Sequence, residues 1–155
     1  LLTKYINNNY LFPNAREIGA YFADMKAYYS EKTVVVYIMR FSNIKEVINL
    51  MNNLKVFIEK EINMEEINCY KQQLIDYKES FKKVDYRYSD KFVMDYIDDH
   101  QEKAINNINE ISELDIKRVK KKFLNQIKNY FRVIISNENE INECKEYLDE
   151  IEKFI

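Results

Sequence analysis

Glycine and proline are almost missing from this chain. It holds one of each, Pro13 and Gly19, and no residue after Gly19 is either type. Average usage would place roughly eleven Gly and eight Pro in a chain of this length. A β-rich protein needs turns with positive φ, which Gly usually supplies, so the shortage disfavours hairpin-built folds. It also excludes glycine-rich phosphate loops, Walker patterns and glycine-flanked nucleophiles. Tryptophan is absent and there is a single histidine, His100. One histidine cannot supply the paired Glu-x-x-His motifs of a di-iron bundle.

Cysteine is scarce as well. Cys69 and Cys144 are too few for a disulfide framework, and two reduced, buried thiols are expected. Neither has a histidine nearby in sequence, so a catalytic Cys–His pair has no support. No apolar run approaches the ~18 residues of a membrane span; Val34 to Met39 is far shorter. No signal peptide is expected within the chain. It begins Leu1-Leu2 rather than on Met, which fits a fragment of a longer protein. Net charge is −2, from 24 basic and 26 acidic residues, which argues against a surface built wholly for nucleic acid.

What is present suits a folded protein: 46% hydrophobic residues, 32% charged, and thirteen Tyr with nine Phe. Asn, Lys, Ile and Tyr, all with AT-rich codons, are abundant, which reflects genome composition rather than chemistry. Apolar residues recur at helical spacing in four stripes. They run Ile67–Tyr70–Leu74–Tyr77–Phe81–Val84, Val93–Ile97–His100–Ala104–Ile108–Ile111, Ile116–Val119–Phe123–Ile127–Tyr130–Ile134 and Ile141–Cys144–Leu148–Ile151–Ile155. Asn43 to Glu46 and Asn137 to Glu140 fit capping boxes, and Ser89-Asp90 and Ser112 to Asp115 read as further boundaries. The pattern predicts helices near 44–62, 65–84, 90–111, 115–135 and 138–154.

Thr33 to Ile38 is β-branched and aromatic, which favours a strand. It has no evident partner, so a buried helix is expected there. The fold class that follows is all-α: an antiparallel bundle of about six or seven helices in a single domain, residues 1–155.

One segment carries a motif. Tyr5-Ile6 is followed by Leu11-Phe12-Pro13-Asn14-Ala15-Arg16-Glu17-Ile18-Gly19, then Ser30-Glu31-Lys32-Thr33-Val34, then Tyr37-Ile38-Met39-Arg40-Phe41. This stretch, residues 2–41, resembles the helix-turn-helix of LexA-like winged-helix repressors. The resemblance implies a subdomain over 1–42, a long-helix bundle over 43–155, and DNA contacts by Ser30, Lys32, Thr33 and Arg40. Asn14 would cap the second helix with Glu17 in the capping-box position.

Other clusters read as follows. Asp95, Asp98, Asp99 and Glu102 lie opposite their helix's apolar face while His100 points toward it, so they form a solvated acidic face and no metal site. Lys117, Arg118, Lys121, Lys128 and Arg132 share an arc of one helix, a basic stripe suited to an acidic partner, an anionic surface or nucleic acid. Tyr28-Tyr29 and Tyr86-Arg87-Tyr88 have the composition of interface hot spots and are the candidate protein contacts. With catalytic spacings missing and helical faces plentiful, the expectation is a non-enzymatic interaction module that binds a protein partner through helix faces. It would need no cofactor and would be open to homo-oligomerisation. The alternative is a helix-turn-helix DNA-binding regulator with a C-terminal helical dimerisation or effector region.

Overall fold

The structure is a computed structural model that describes residues 1–28, 33–82, 103, 105–127 and 130–152. Helices start at the expected boundaries Asn43, Ser112 and Asn137, and Ser89-Asp90 lies outside the described residues, but the N-terminal third does not follow the bundle pattern. Residues 2–17 form one continuous helix, in which α1 (Leu2–Ile6) and α2 (Phe12–Glu17) flank a wider turn over Asn7–Leu11. Pro13 explains the widening. Its nitrogen has no hydrogen to give the carbonyl four residues back, and its ring crowds that carbonyl. The chain loosens to i→i+5 bonding, and the Phe12 N–H donates to the Asn7 carbonyl.

Asn14 therefore caps nothing. Its amide donates backward to the Tyr10 carbonyl at 2.6 Å, within the helix. Arg16, Glu17 and Ile18 end this helix rather than open a second. The Gly19 N–H bonds the Arg16 carbonyl and the Ala20 N–H the Ala15 carbonyl, a Schellman termination with Gly19 at φ +74°.

The all-α expectation fails next. Phe22–Tyr28 (β1) and Thr33–Met39 (β2) form a two-stranded antiparallel sheet, paired from Phe22↔Met39 to Tyr28↔Thr33. The β-branched run does form a strand, and its missing partner is Phe22–Tyr28, where apolar Ala23, Met25 and Ala27 alternate with Asp24, Lys26 and Tyr28. The third helix implied by the helix-turn-helix resemblance is thus strand β2. Ala23 and Met25 are buried beneath the sheet, with Val36 and Ile38 packed beside them.

The long helices come after. Helix α3 (Ile44–Glu59) is capped by Asn43, whose side chain accepts from the Lys45 and Glu46 N–H groups, the Asn half of the expected capping box. Helix α4 (Met64–Lys82) also falls where expected. Residues 105–110 are helical, and the rest of the expected 90–111 helix lies mostly outside the described residues. Ser112 and Asp115 make a reciprocal capping box at the start of α5 (Glu113–Gln126).

Two expected helices are cut short. The helix over 115–135 ends at Gln126, and residues 130–137 have no helical or strand pairing. The Ile116-to-Ile134 stripe continues in register by coincidence. Tyr130 to Ile135 is a β-branched and aromatic run with weak helix propensity. The helix over 138–154 spans only Glu138–Glu143 (α6), followed by one tight turn at Lys145–Tyr147. The Asn137 half of its expected capping box forms, accepting from the Glu140 N–H at 3.0 Å, while the Glu140 carboxylate takes the Ser136 hydroxyl instead of reaching back to Asn137.

The core lies between the N-terminal helix, the inner face of the sheet, α3 and the first turns of α4 and α5. Leu11 and Leu54 are 0% exposed, and Ile6, Ile58, Ile67 and Ile116 surround them. Tyr10 and Phe57 stack at 4.9 Å between ring centroids, and the Tyr10 hydroxyl donates to the Leu50 carbonyl at 2.6 Å. Two lysines close helix ends: Lys120 reaches the Glu59 and Lys60 carbonyls at the end of α3, and Lys71 the Asn109 and Ile111 carbonyls.

Candidate functional site: an apolar groove along a free strand edge

Asn7 sits in the widened turn and is buried at 8% exposure. Its carboxamide faces β1. The oxygen accepts from the Met25 N–H at 2.8 Å, and the nitrogen donates to the Met25 carbonyl at 3.2 Å and to Asp24 Oδ1 at 2.6 Å. Both main-chain groups of Met25 therefore point away from β2. In an antiparallel ladder such residues alternate, so Met25↔Val36 is a non-hydrogen-bonded pair. The N–H and C=O of Val36 then point away from β1. Period two puts those of Val34 and Ile38 on the same outer edge.

That edge opens into a groove of about 1040 Å³. Residues of both parities of β2 line it and no residue of β1 does, as befits a strand edge rather than a sheet face. Its floor is apolar: Ile44, Val47, Ile48 and Met51 of α3, with Phe123 and Ile127 from the end of α5. The far wall is the unpaired stretch Tyr130 to Ile135. Along it, exposure alternates residue by residue. Ile134 packs inward on Ile44, Ile48 and the buried Cys144, while Phe131, Val133 and Ile135 are 100, 83 and 75% exposed.

Among the described residues, Arg40 and Arg132 are the only charged groups that line the groove, and no carboxylate does. Each guanidinium lies over a tyrosine ring: Arg40 over Tyr21 at 5.1 Å, Arg132 over Tyr130 at 5.4 Å. Arg132 also donates to the Tyr130 hydroxyl at 2.6 Å and to Asn52. Stacking holds these cations in place without burying them. Arg40 has a positive φ of 55°, where the chain leaves β2.

The residues singled out from sequence are scattered. Tyr28 ends β1, and its hydroxyl is 2.9 Å from that of Tyr37 on the sheet's outer face. That bond raises the Tyr37 pKa. Thr33 and Arg40 stand at opposite ends of β2. Tyr29, Ser30 and Lys32 lie outside the described residues, as do Tyr86, Arg87, Tyr88 and Lys128, and the acidic cluster with His100.

The described members of the basic stripe do not all lie on one helix. Lys117 pairs with Glu113, which raises its pKa, and Arg118 with Asp115 at 2.9 Å. Lys121 is exposed on α5, and Arg132 belongs to the groove because α5 has already ended. Cys144 is buried as expected, whereas Cys69 is exposed on α4. Among the described residues no group of three His, Cys, Asp or Glu converges to hold a metal ion, and no helix is long and apolar enough to cross a membrane.

Sequence reasoning does not find the groove, because it places both of its walls in helices. The signal was there twice: Thr33 to Ile38 and Tyr130 to Ile135 are the chain's two β-branched, aromatic runs. Comparisons with protein-family models, with curated proteins and with solved structures find no match to this chain.

Proposed function

We propose that this chain is a non-enzymatic protein-interaction module that receives an extended, apolar stretch of polypeptide as an added strand along β2. One observation carries the reading: the outward main-chain groups of Val34, Val36 and Ile38 border an apolar groove that holds no strand among the described residues. An open strand edge is a template for another strand. A peptide supplies both things the groove lacks, namely main-chain partners for that edge and alternate side chains for the α3 floor. An acyl chain or other apolar small molecule would fill the floor and leave the edge groups unpaired, at a cost of ~1–3 kcal/mol for each one buried. The expected binding through helix faces is thereby replaced by binding through a strand edge.

Fluorescence anisotropy with labelled peptides of alternating apolar residues tests this. Binding is expected, with a loss of at least roughly tenfold when alternate peptide nitrogens are methylated, because methylation removes the ladder donors and leaves the side chains. Equal affinity for both peptides would overturn strand addition. Salt-dependent binding to duplex DNA in place of peptide would favour the helix-turn-helix alternative.

A further inference from the structure

We infer that the strand received by the groove is the Phe131–Ile135 segment of a second copy of this chain. The inference rests on the strand-addition reading and names its partner.

The groove asks for particular chemistry. A guest must alternate its side chains between the α3 floor and the outside, must be apolar on both, and must present main-chain groups to β2. Tyr130 to Ile135 has that character: apolar at every position but one and rich in β-branched residues. The exception, Arg132, is held back against its own chain by Asn52 and the Tyr130 hydroxyl. The face left on offer is Phe131, Val133 and Ile135, the most exposed apolar row among the described residues.

Area favours self-association. Phe131, Val133 and Ile135 with Val34 and Met39 present roughly 500–600 Å² of apolar side chain per copy. A symmetric pair would bury about 1,000–1,200 Å² from these alone, and main-chain contacts bring the total into the range of a specific interface. Both complementary parts lie on one chain, the bare edge of β2 and the bare row at 131–135. A two-fold arrangement gives each copy's segment to the other's groove and fills both grooves at once. It therefore closes as a dimer rather than growing as a fibre.

Sedimentation velocity of the full chain over a range of concentrations tests the inference. A concentration-dependent dimer is expected for the unaltered chain. Val133→Asp puts a carboxylate on an exposed side chain, and Val34→Pro removes one outward N–H. Each is expected to weaken the dimer at least roughly a hundredfold while circular dichroism stays unchanged. A dimer insensitive to both changes would overturn the proposal, as would a monomer at every concentration.

A labelled peptide of residues 130–136 separates the two readings. If the chain is monomeric but the peptide binds and Val34→Pro blocks it, self-association falls and strand addition stands. If neither occurs, both fall. A monomer whose Val36 amide resists hydrogen exchange would instead assign the edge to the segment of the same chain.

Discussion

Asn7 and Met25, eighteen residues apart in sequence, exchange two hydrogen bonds, and the Asn7 side chain takes the place of a neighbouring strand. This contact docks the sheet onto the N-terminal helix. It also fixes which main-chain groups of β2 face the groove. The widened turn forced by Pro13 sets the carboxamide against β1.

Asn7→Ala leaves the Met25 N–H and C=O buried without partners. A loss of about 2–4 kcal/mol is expected, from two unsatisfied groups at ~1–3 kcal/mol each with partial relaxation. Urea unfolding monitored by circular dichroism measures it. A loss under ~1 kcal/mol would mean that water replaces the carboxamide and that the contact does not dock the sheet.

Proline substitution reads the edge directly. Val34→Pro removes an outward N–H and spares the ladder to β1, so a cost near 1 kcal/mol is expected. Val35→Pro removes an inward N–H opposite Lys26, and about 3 kcal/mol or more is expected. Thermal melts of the two variants check the order. Equal costs would mean that the parity inferred from Met25 is wrong.

Burial raises the Tyr10 pKa to about 12 from its ordinary 10.0. The folded state holds the phenol proton more tightly than the unfolded state. The associated stability is therefore complete below pH 10, is lost as pH rises from 10 to about 12, and is of order 2 kcal/mol. Tyr10→Phe removes this dependence and the bond to the Leu50 carbonyl, costing about 1 kcal/mol at neutral pH. Urea midpoints at pH 8 and near pH 11 would show the unaltered chain weakening more steeply than the variant.

Gly19 has room for a methyl group, because a Cβ there would meet only Ser42 Oγ at 3.5 Å. Its φ of +74° still penalises any L side chain. Gly19→Ala is expected to cost about 1 kcal/mol by strain alone, and Gly19→Asn less, since Asn tolerates this region better. Calorimetric melting temperatures in the order Gly, Asn, Ala would confirm it.

The helices with strong end signals were legible in the sequence: Asn43 before α3, Ser112 with Asp115 before α5, Asn137 before α6. A cap is a local device, satisfied by residues within three positions, so neighbours in sequence suffice to specify it. The shortage of Gly and Pro correctly favoured a mostly helical chain, and both lone residues mark real events, the widened turn and the helix end.

The sheet and the groove lay beyond such reading. Thr33 to Ile38 has strand propensity, but a strand is stable only with a partner, and Phe22–Tyr28 is a weak candidate by itself, with two alanines, a lysine and an aspartate. Asn7 and the core beneath Met25 make it a strand, and both are remote in sequence. Likewise Tyr130 and Ile134 continue a helical stripe on paper. The packing of Ile134 against Cys144, Ile44 and Ile48 instead leaves Phe131, Val133 and Ile135 outside. Composition and caps, which act over a few residues, determined where helices begin. Burial and long-range hydrogen bonds, which need the whole chain in place, decided which β-branched runs became strand and groove wall.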